Sequence, residues 1–267
     1  MRSLPRNMLG WSFKLFRIRG IQLAIHFSFV LLLAYVANEG WDEDGLSGLL
    51  WSVGMILAFF TCVVLHELGH SLTAIHYGVG VRRILLMPIG GMAEFDSIPR
   101  QPVHELLITI AGPAVNFVIA TLLYLVVGLP RHWTFWSFAD YPADATGFAR
   151  LLLHWNLWMG CFNLLPSFPM DGGRILRALL AMRFSYLRAT FWAATVGKIV
   201  CVLGVSYALL AEPVRPLLAV LFGFIFVVGE IEYRTVRRRE QEEAYWRETV
   251  ARFNARPRTG EPPILLG

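Results

Sequence analysis

Apolar residues gather in six long blocks along this chain, and the short connections between them carry most of the charge. The blocks cover about 21–37, 49–74, 106–129, 148–165, 191–210 and 214–231, with ends good to about 4 residues. Several approach the roughly 20 apolar residues that a helix needs to cross a hydrocarbon core. The fourth does not end cleanly but runs on into a broken, Pro- and Gly-containing continuation. The pattern predicts an all-α polytopic membrane protein with about six transmembrane helices. Composition agrees: of 267 residues, 56% are hydrophobic and only 16% charged, against about 25% charged in soluble domains.

The connections alternate in character. "NEGWDEDG" (38–45) is acidic, the stretch after the second block carries Arg82, Arg83 and Arg100, and the 130–147 loop sets Arg131 against Asp140 and Asp144. Basic residues return at Arg177, Arg183 and Arg188, and again at Arg234, Arg237, Arg238 and Arg239. With six crossings, both termini and the arginine-rich connections fall on one side, the cytoplasm, and the protein is expected as a multi-pass inner (plasma) membrane protein. Trp41, Trp51, Trp133, Trp136, Trp155 and Trp158 cluster at the opposite side, as an interfacial belt does. The expected organisation is a cytoplasmic N-terminal segment at 1–20, a transmembrane core at 21–232 and a cytoplasmic tail at 233–267. The basic N-terminus imitates a secretory signal, but no small-x-small cleavage site follows, so the first block is expected to be retained. The net charge of +5 does not indicate nucleic acid, because the arginines sit beside apolar blocks rather than along one face of a domain. Cys62, Cys161 and Cys201 form neither a disulfide framework nor a CxxC motif and are expected as small buried hydrophobes.

Against this background, "FFTCVVLHELGHSLTAIHYG" (59–78) is anomalous. Each ionisable group inserted into a bilayer costs about 2.5 to 3.5 kcal/mol, yet His66, Glu67 and His70 interrupt an apolar run. HExxH puts two imidazoles on one helix face, where both reach a single tetrahedral ion, and leaves Glu67 beside them to handle a proton. A catalytic zinc takes three protein ligands and one open position. The best remaining candidate is Asp171 in "NLLPSFPMDGGRIL" (163–176). Pro166 and Pro169 break the helix there, and Gly172 and Gly173 permit unusual backbone angles. A broken helix at membrane depth is tolerated only inside protein or beside water. The alternative is an ordinary span exit with Asp171 as a helix cap. Depth favours the metal reading, because Asp171 and the two histidines follow similar lengths of apolar chain running in the same direction. His26, His76 and His104 are read as structural, Cys62 as packing, and Glu230 and Glu232 as partners of Arg234.

These motifs identify a resemblance to the site-2 protease family of intramembrane zinc metalloproteases. "HELGH" is joined by an NxxPxxxxDG pattern in Asn163, Pro166, Asp171 and Gly172, by "AGPAVNF" (111–117) resembling a GPxxN element, by "LMPIGGMAEF" (86–95) resembling a re-entrant β segment, and by "GIQLAIHFSF" resembling a first-span opening. The resemblance covers about residues 10–230, and no PDZ or CBS domain of the kind some relatives carry is expected in the tail that follows. It implies one Zn2+ per chain on His66, His70 and Asp171, with Glu67 as base and then acid. It also implies a single-span membrane substrate, such as an anti-sigma factor or membrane-tethered regulator. A short membrane-associated β hairpin containing Gly90 and Gly91 is expected between the second and third spans, its edge open to an extended substrate; a loop in the interface is the alternative. Asn163 and Asn116 are expected as oxyanion or substrate donors, or equally as hydrogen bonds between helices. The rival functions are a membrane zinc transporter and a catalytically silent binder of transmembrane helices. A transporter should show polar groups on both sides of the bilayer, and a silent binder should have lost Glu67. Oligomeric state is not legible.

Overall fold

The structure, a computed structural model, describes residues 11–96, 101–129, 141 and 143–254. Arg100, Arg131, Trp133, Trp136, Asp140 and the end of the tail lie outside the described residues. Two strands, β1 (Ser12–Ile18) and β2 (Ile21–His26), lead into helix α1 (Phe27–His76). After α1 come β3 (Val81–Met87), β4 (Gly90–Phe95), α2 (Pro102–Val127), α3 (Ala145–Asn163), α4 (Asp171–Ala181), α5 (Tyr186–Leu210) and α6 (Pro216–Asn254). Four of the helices, α1, α2, α5 and α6, are long and apolar enough to cross a membrane. Large apolar side chains stand outward on them, with Val126, Leu210 and Leu217 each 82% exposed. A surface of this kind needs lipid, and the chain is a membrane protein.

The first two apolar blocks are joined as one bent element. Helical geometry fails within α1 only at Asp44 (φ −147°, ψ 27°) and Gly45 (φ 59°, ψ −134°). Glycine takes the left-handed angle without a Cβ penalty. The Ser47 hydroxyl ties the bend by donating to the Asp44 carbonyl at 2.8 Å. The two arms fold back on each other, with the Phe29 and Phe60 rings edge to face at 4.6 Å and Gly40 against the backbone of Gly48.

The expected all-α class needs correcting, since a four-stranded sheet in the order β1-β2-β3-β4 accompanies the helices. The first helix therefore starts at Phe27 and not near residue 21. Residues 21–26 form an inner strand, antiparallel to β1 and parallel to β3 with Gln22 opposite Arg83 and Ile25 opposite Leu86. An inner strand covered by other elements reads as a continuous apolar run, which pattern alone does not separate from the start of a span. Ile21 and Leu23 of β2 and Ile84 and Leu86 of β3 share one buried core with Phe29, Phe60 and Val63 of α1. The sheet is thus seated on the arm that carries His66.

Three further expectations change. Cys161 is exposed, unlike Cys62 and Cys201. Arg177, read from sequence as part of a cytoplasmic basic segment, is 1% exposed. Its guanidinium pairs with Glu105 of α2 and, at 3.0 Å, with Glu232 of α6, and it lies over the rings of Phe168 and Tyr186 at 5.1 and 5.0 Å. Glu232 therefore serves Arg177, while Glu230 pairs with Arg234 at 2.6 Å and also with Lys198. A charge buried so fully is tolerable only when paired and hydrogen-bonded, and this cluster ties α2, α4 and α6 together. His26 caps α1 by accepting from the Ser28 N–H at 3.2 Å, and His104 stacks on Tyr77.

Candidate metal centre

His66 and His70 stand one turn apart on the second arm of α1, with their Nε2 atoms 3.1 Å apart. Asp171 arrives from 101 residues beyond His70 as the first residue of α4, its Oδ2 3.3 Å from His66 Nε2 and 3.2 Å from His70 Nε2. All three are buried, and they form a group able to hold one metal ion. The free N–H groups and dipole of a helix N-terminus favour a carboxylate at that position.

The segment before α4 delivers Asp171 by close packing. A Cβ at Gly172 would collide with the carbonyls of Leu164 and Leu165, and one at Gly173 would lie 2.7 Å from the Phe168 nitrogen. Neither glycine has positive φ. They are required for backbone contact, not for the unusual angles expected from sequence.

Helix α2 supplies the back wall. Gly112 faces the two Nε2 atoms so closely that a Cβ there would sit 2.8 Å from that of His66 and nearer still to that of His70. The Ile108 carbonyl accepts from His70 Nδ1 at 2.8 Å, and Asn116 Oδ1 accepts from His66 Nδ1 at 2.6 Å. With both Nδ1–H groups engaged behind them, the two Nε2 lone pairs and a carboxylate oxygen point at one another. Three acceptors at 3.1 to 3.3 Å repel unless a cation lies between them. A tetrahedral zinc with bonds of about 2.0 to 2.1 Å has ligand atoms about 3.3 Å apart. The donor set fits that ion in both chemistry and size.

Glu67 adjoins His66 and is half-buried. Strand β4 lies directly on it, because a Cβ at Gly91 would be 2.7 Å from Glu67 Cγ. Gly90 forms the turn into β4 with φ 135°. β4 pairs with β3 on one side and is the last strand of the sheet, so its other edge is open among the described residues.

The two asparagines are placed differently. Asn163 ends α3, half-buried, donating to the Met159 carbonyl of its own helix at 3.1 Å. Asn116 is fully buried behind His66, and its amide is committed to His66 and, at 2.9 Å, to Asn156. That commitment does not suit the oxyanion role expected of it. Gly112, the Ile108 carbonyl and Asn156 were absent from the sequence-derived site. Gly112 and Asn116 are one turn apart within "AGPAVNF", so their shared face was available to spacing, as was Asn156 as an amide in the middle of an apolar block. A main-chain carbonyl such as that of Ile108 carries no sequence signal.

Residues 54–140 and 139–205 match the family model described as Peptidase family M50. The chain is 40% identical over 228 residues to the zinc metalloprotease MJ0392 of Methanocaldococcus jannaschii, covering 85% of this chain and 62% of that one. It is 26% identical to Stage IV sporulation protein FB of Bacillus subtilis, over 77% of this chain and 67% of that one. Among solved structures it is similar to the site-2 protease from Methanocaldococcus jannaschii, with a TM-score of 0.56 and 35% identity over 84% of this chain and 95% of that one. The chain spans about three-fifths of the length of its Methanocaldococcus relative.

Proposed function

Because the chain belongs to peptidase family M50, we propose that it is an intramembrane zinc metalloprotease hydrolysing peptide bonds in or near the transmembrane segment of membrane-anchored proteins. The observation that carries this reading is the meeting of His66, His70 and Asp171 at the edge length of a tetrahedron, beside Glu67 and an open strand edge.

His66, His70 and Asp171 hold one Zn2+ per chain, which when bound lowers the pKa of a water toward about 7 and polarises the scissile carbonyl. Glu67 takes the proton of the attacking water and passes it to the leaving amine, base first and acid afterwards. Ile108 and Asn116 keep the imidazoles aimed. Asn163, with one amide N–H beyond its bond to Met159, is the group we assign to the developing oxyanion.

A helical substrate resists attack because its carbonyls are bonded within the helix. The open edge of β4 offers replacement partners, so an unwound segment adds as a further strand. The turn at Gly90 and the missing side chain at Gly91 let that strand run across Glu67. We place six crossings, as the two arms of α1 with α2, α3, α5 and α6. The sheet dips into the membrane, consistent with exposed Phe13, Leu15 and Phe16 on β1 and exposed Trp11 just before it. Both termini and the site face the cytoplasm of the inner membrane. The protease core covers 21–232, with β1 contributed by the N-terminal segment, and the tail at 233–267 is cytoplasmic. The substrate class is a single-span membrane protein, such as an anti-sigma factor or tethered regulator.

The test uses purified protein and a single-span reporter. Wild type is expected to cut the reporter near its cytoplasmic side, and Glu67→Gln to abolish cleavage while zinc content stays at one per chain. Unchanged cleavage by Glu67→Gln removes Glu67 from the mechanism.

A further inference from the structure

We propose that Asn156 of α3 is a positioning residue that sets the tautomer of His66 through Asn116. Asn156 is fully buried, 0% exposed, and every polar atom of its side chain is in use. Its Nδ2 donates to the Leu152 carbonyl at 2.8 Å and to Cys62 Sγ at 3.2 Å, and its Oδ1 accepts from Asn116 Nδ2 at 2.9 Å.

Direction is what matters. A main-chain carbonyl only accepts, so the Leu152 carbonyl fixes which end of the Asn156 amide carries the nitrogen. The Asn156 oxygen must then face Asn116, which answers with its own nitrogen and turns its oxygen to His66 Nδ1, 2.6 Å away. His66 is left with its proton on Nδ1 and a bare Nε2 directed at Asp171. If Asn116 were reversed, its nitrogen would face Nδ1 and move the ring proton to Nε2, into the space the ion needs. His70 requires no such relay, because its Nδ1 meets the Ile108 carbonyl directly. One ligand is thus oriented by rigid backbone, the other by two amides whose sense is set a further helix away. The relay joins α1, α2 and α3 and ends at Cys62, one turn before His66.

This inference rests on the metal reading, and the experiment separates the two. Metal-free protein is titrated with Co2+, followed by the visible absorption of the tetrahedral ion. Wild type is expected to bind one Co2+; failure to bind rejects the metal reading itself. Asn156→Leu is expected to weaken Co2+ binding by about 10- to 100-fold, the range for groups that orient metal ligands. Asn116→Leu should do the same. The Asn116→Leu/Asn156→Leu double variant should bind within about twofold of Asn116→Leu alone, since the second change acts through a path already cut. Asn156→Asp, carried in this fully buried place as the neutral acid, keeps the shape, an O–H for the Leu152 carbonyl and the oxygen that Asn116 needs, and is expected to stay within about threefold of wild type. Thr190→Val, which removes an equally buried hydroxyl on α5, should leave Co2+ binding unchanged. Wild-type Co2+ affinity and spectrum in Asn156→Leu, independent additive losses in the double variant, or an Asn156→Asp loss as large as the leucine loss each overturn the proposal. If the leucine variant does not fold, Asn156→Ser, whose short hydroxyl cannot span from the Leu152 carbonyl to Asn116, takes its place with the same expected loss, and wild-type Co2+ affinity in it overturns the proposal.

Discussion

Replacing Gly112 with alanine should empty the metal site while leaving the helix that carries it intact. The new Cβ would lie 2.8 Å from His66 Nε2 and closer still to His70 Nε2, whereas ordinary contacts begin at 3.4 Å. His66 alone must therefore retreat by about 0.6 Å, and His70 by more, while metal–ligand distances tolerate only about ±0.2 Å. Neither imidazole has room behind it, since each Nδ1 is held by α2 itself through Asn116 or Ile108. At least one ligand is lost, and zinc affinity is expected to fall by more than about 100-fold, beyond the usual effect of a group outside the ligand set. The backbone effect has the opposite sign, because Gly→Ala inside a helix favours it by up to about 1 kcal/mol. The assay pairs zinc content under chelator competition with thermal unfolding in detergent. Zinc bound by Gly112→Ala with wild-type affinity would refute this placement of the ion.

Arg177→Leu leaves Glu105 buried without its partner and should cost about 3 to 5 kcal/mol in unfolding; Arg177→Leu/Glu105→Leu should recover most of that loss. Gly91→Val should push β4 from Glu67 and lower kcat/KM on a single-span reporter by about 100-fold, the scale of a ~1 Å misplacement, with zinc content unchanged. Arg252→Ala on the tail, which breaks an exposed pair with Glu248, should change unfolding by less than about 0.5 kcal/mol.

What was legible in the sequence is what depends on local spacing. His66 and His70 lie on one helix face because the helical period puts them there, and the Pro- and Gly-containing break before Asp171 marks an irregular span by composition. The acidic stretch at 38–45 was read as the connection between the first two spans, and the chain bends at its end, at Asp44 and Gly45 of one long helix. The sheet was half visible. β3 and β4 are adjacent in the chain, but β2 pairs with β3 across sixty residues, and no local pattern reports such a partner. Burial of Arg177 was invisible for a related reason: its nearest charged neighbours in sequence suggest an interface, while Glu105 and Glu232 lie on distant helices. The relay behind His66 is the least legible part, since Cys62, Asn116 and Asn156 come together only when three helices pack.

The central claim is that two imidazoles and one carboxylate, from α1 and α4, bind a single zinc ion. X-ray absorption at the zinc edge on purified protein measures it directly. The expected spectrum shows only nitrogen and oxygen neighbours at about 2.0 to 2.1 Å, and Asp171→Ala should lose an oxygen neighbour and most of the bound zinc. A sulfur neighbour near 2.3 Å, or a spectrum and zinc content unchanged in Asp171→Ala, would contradict it.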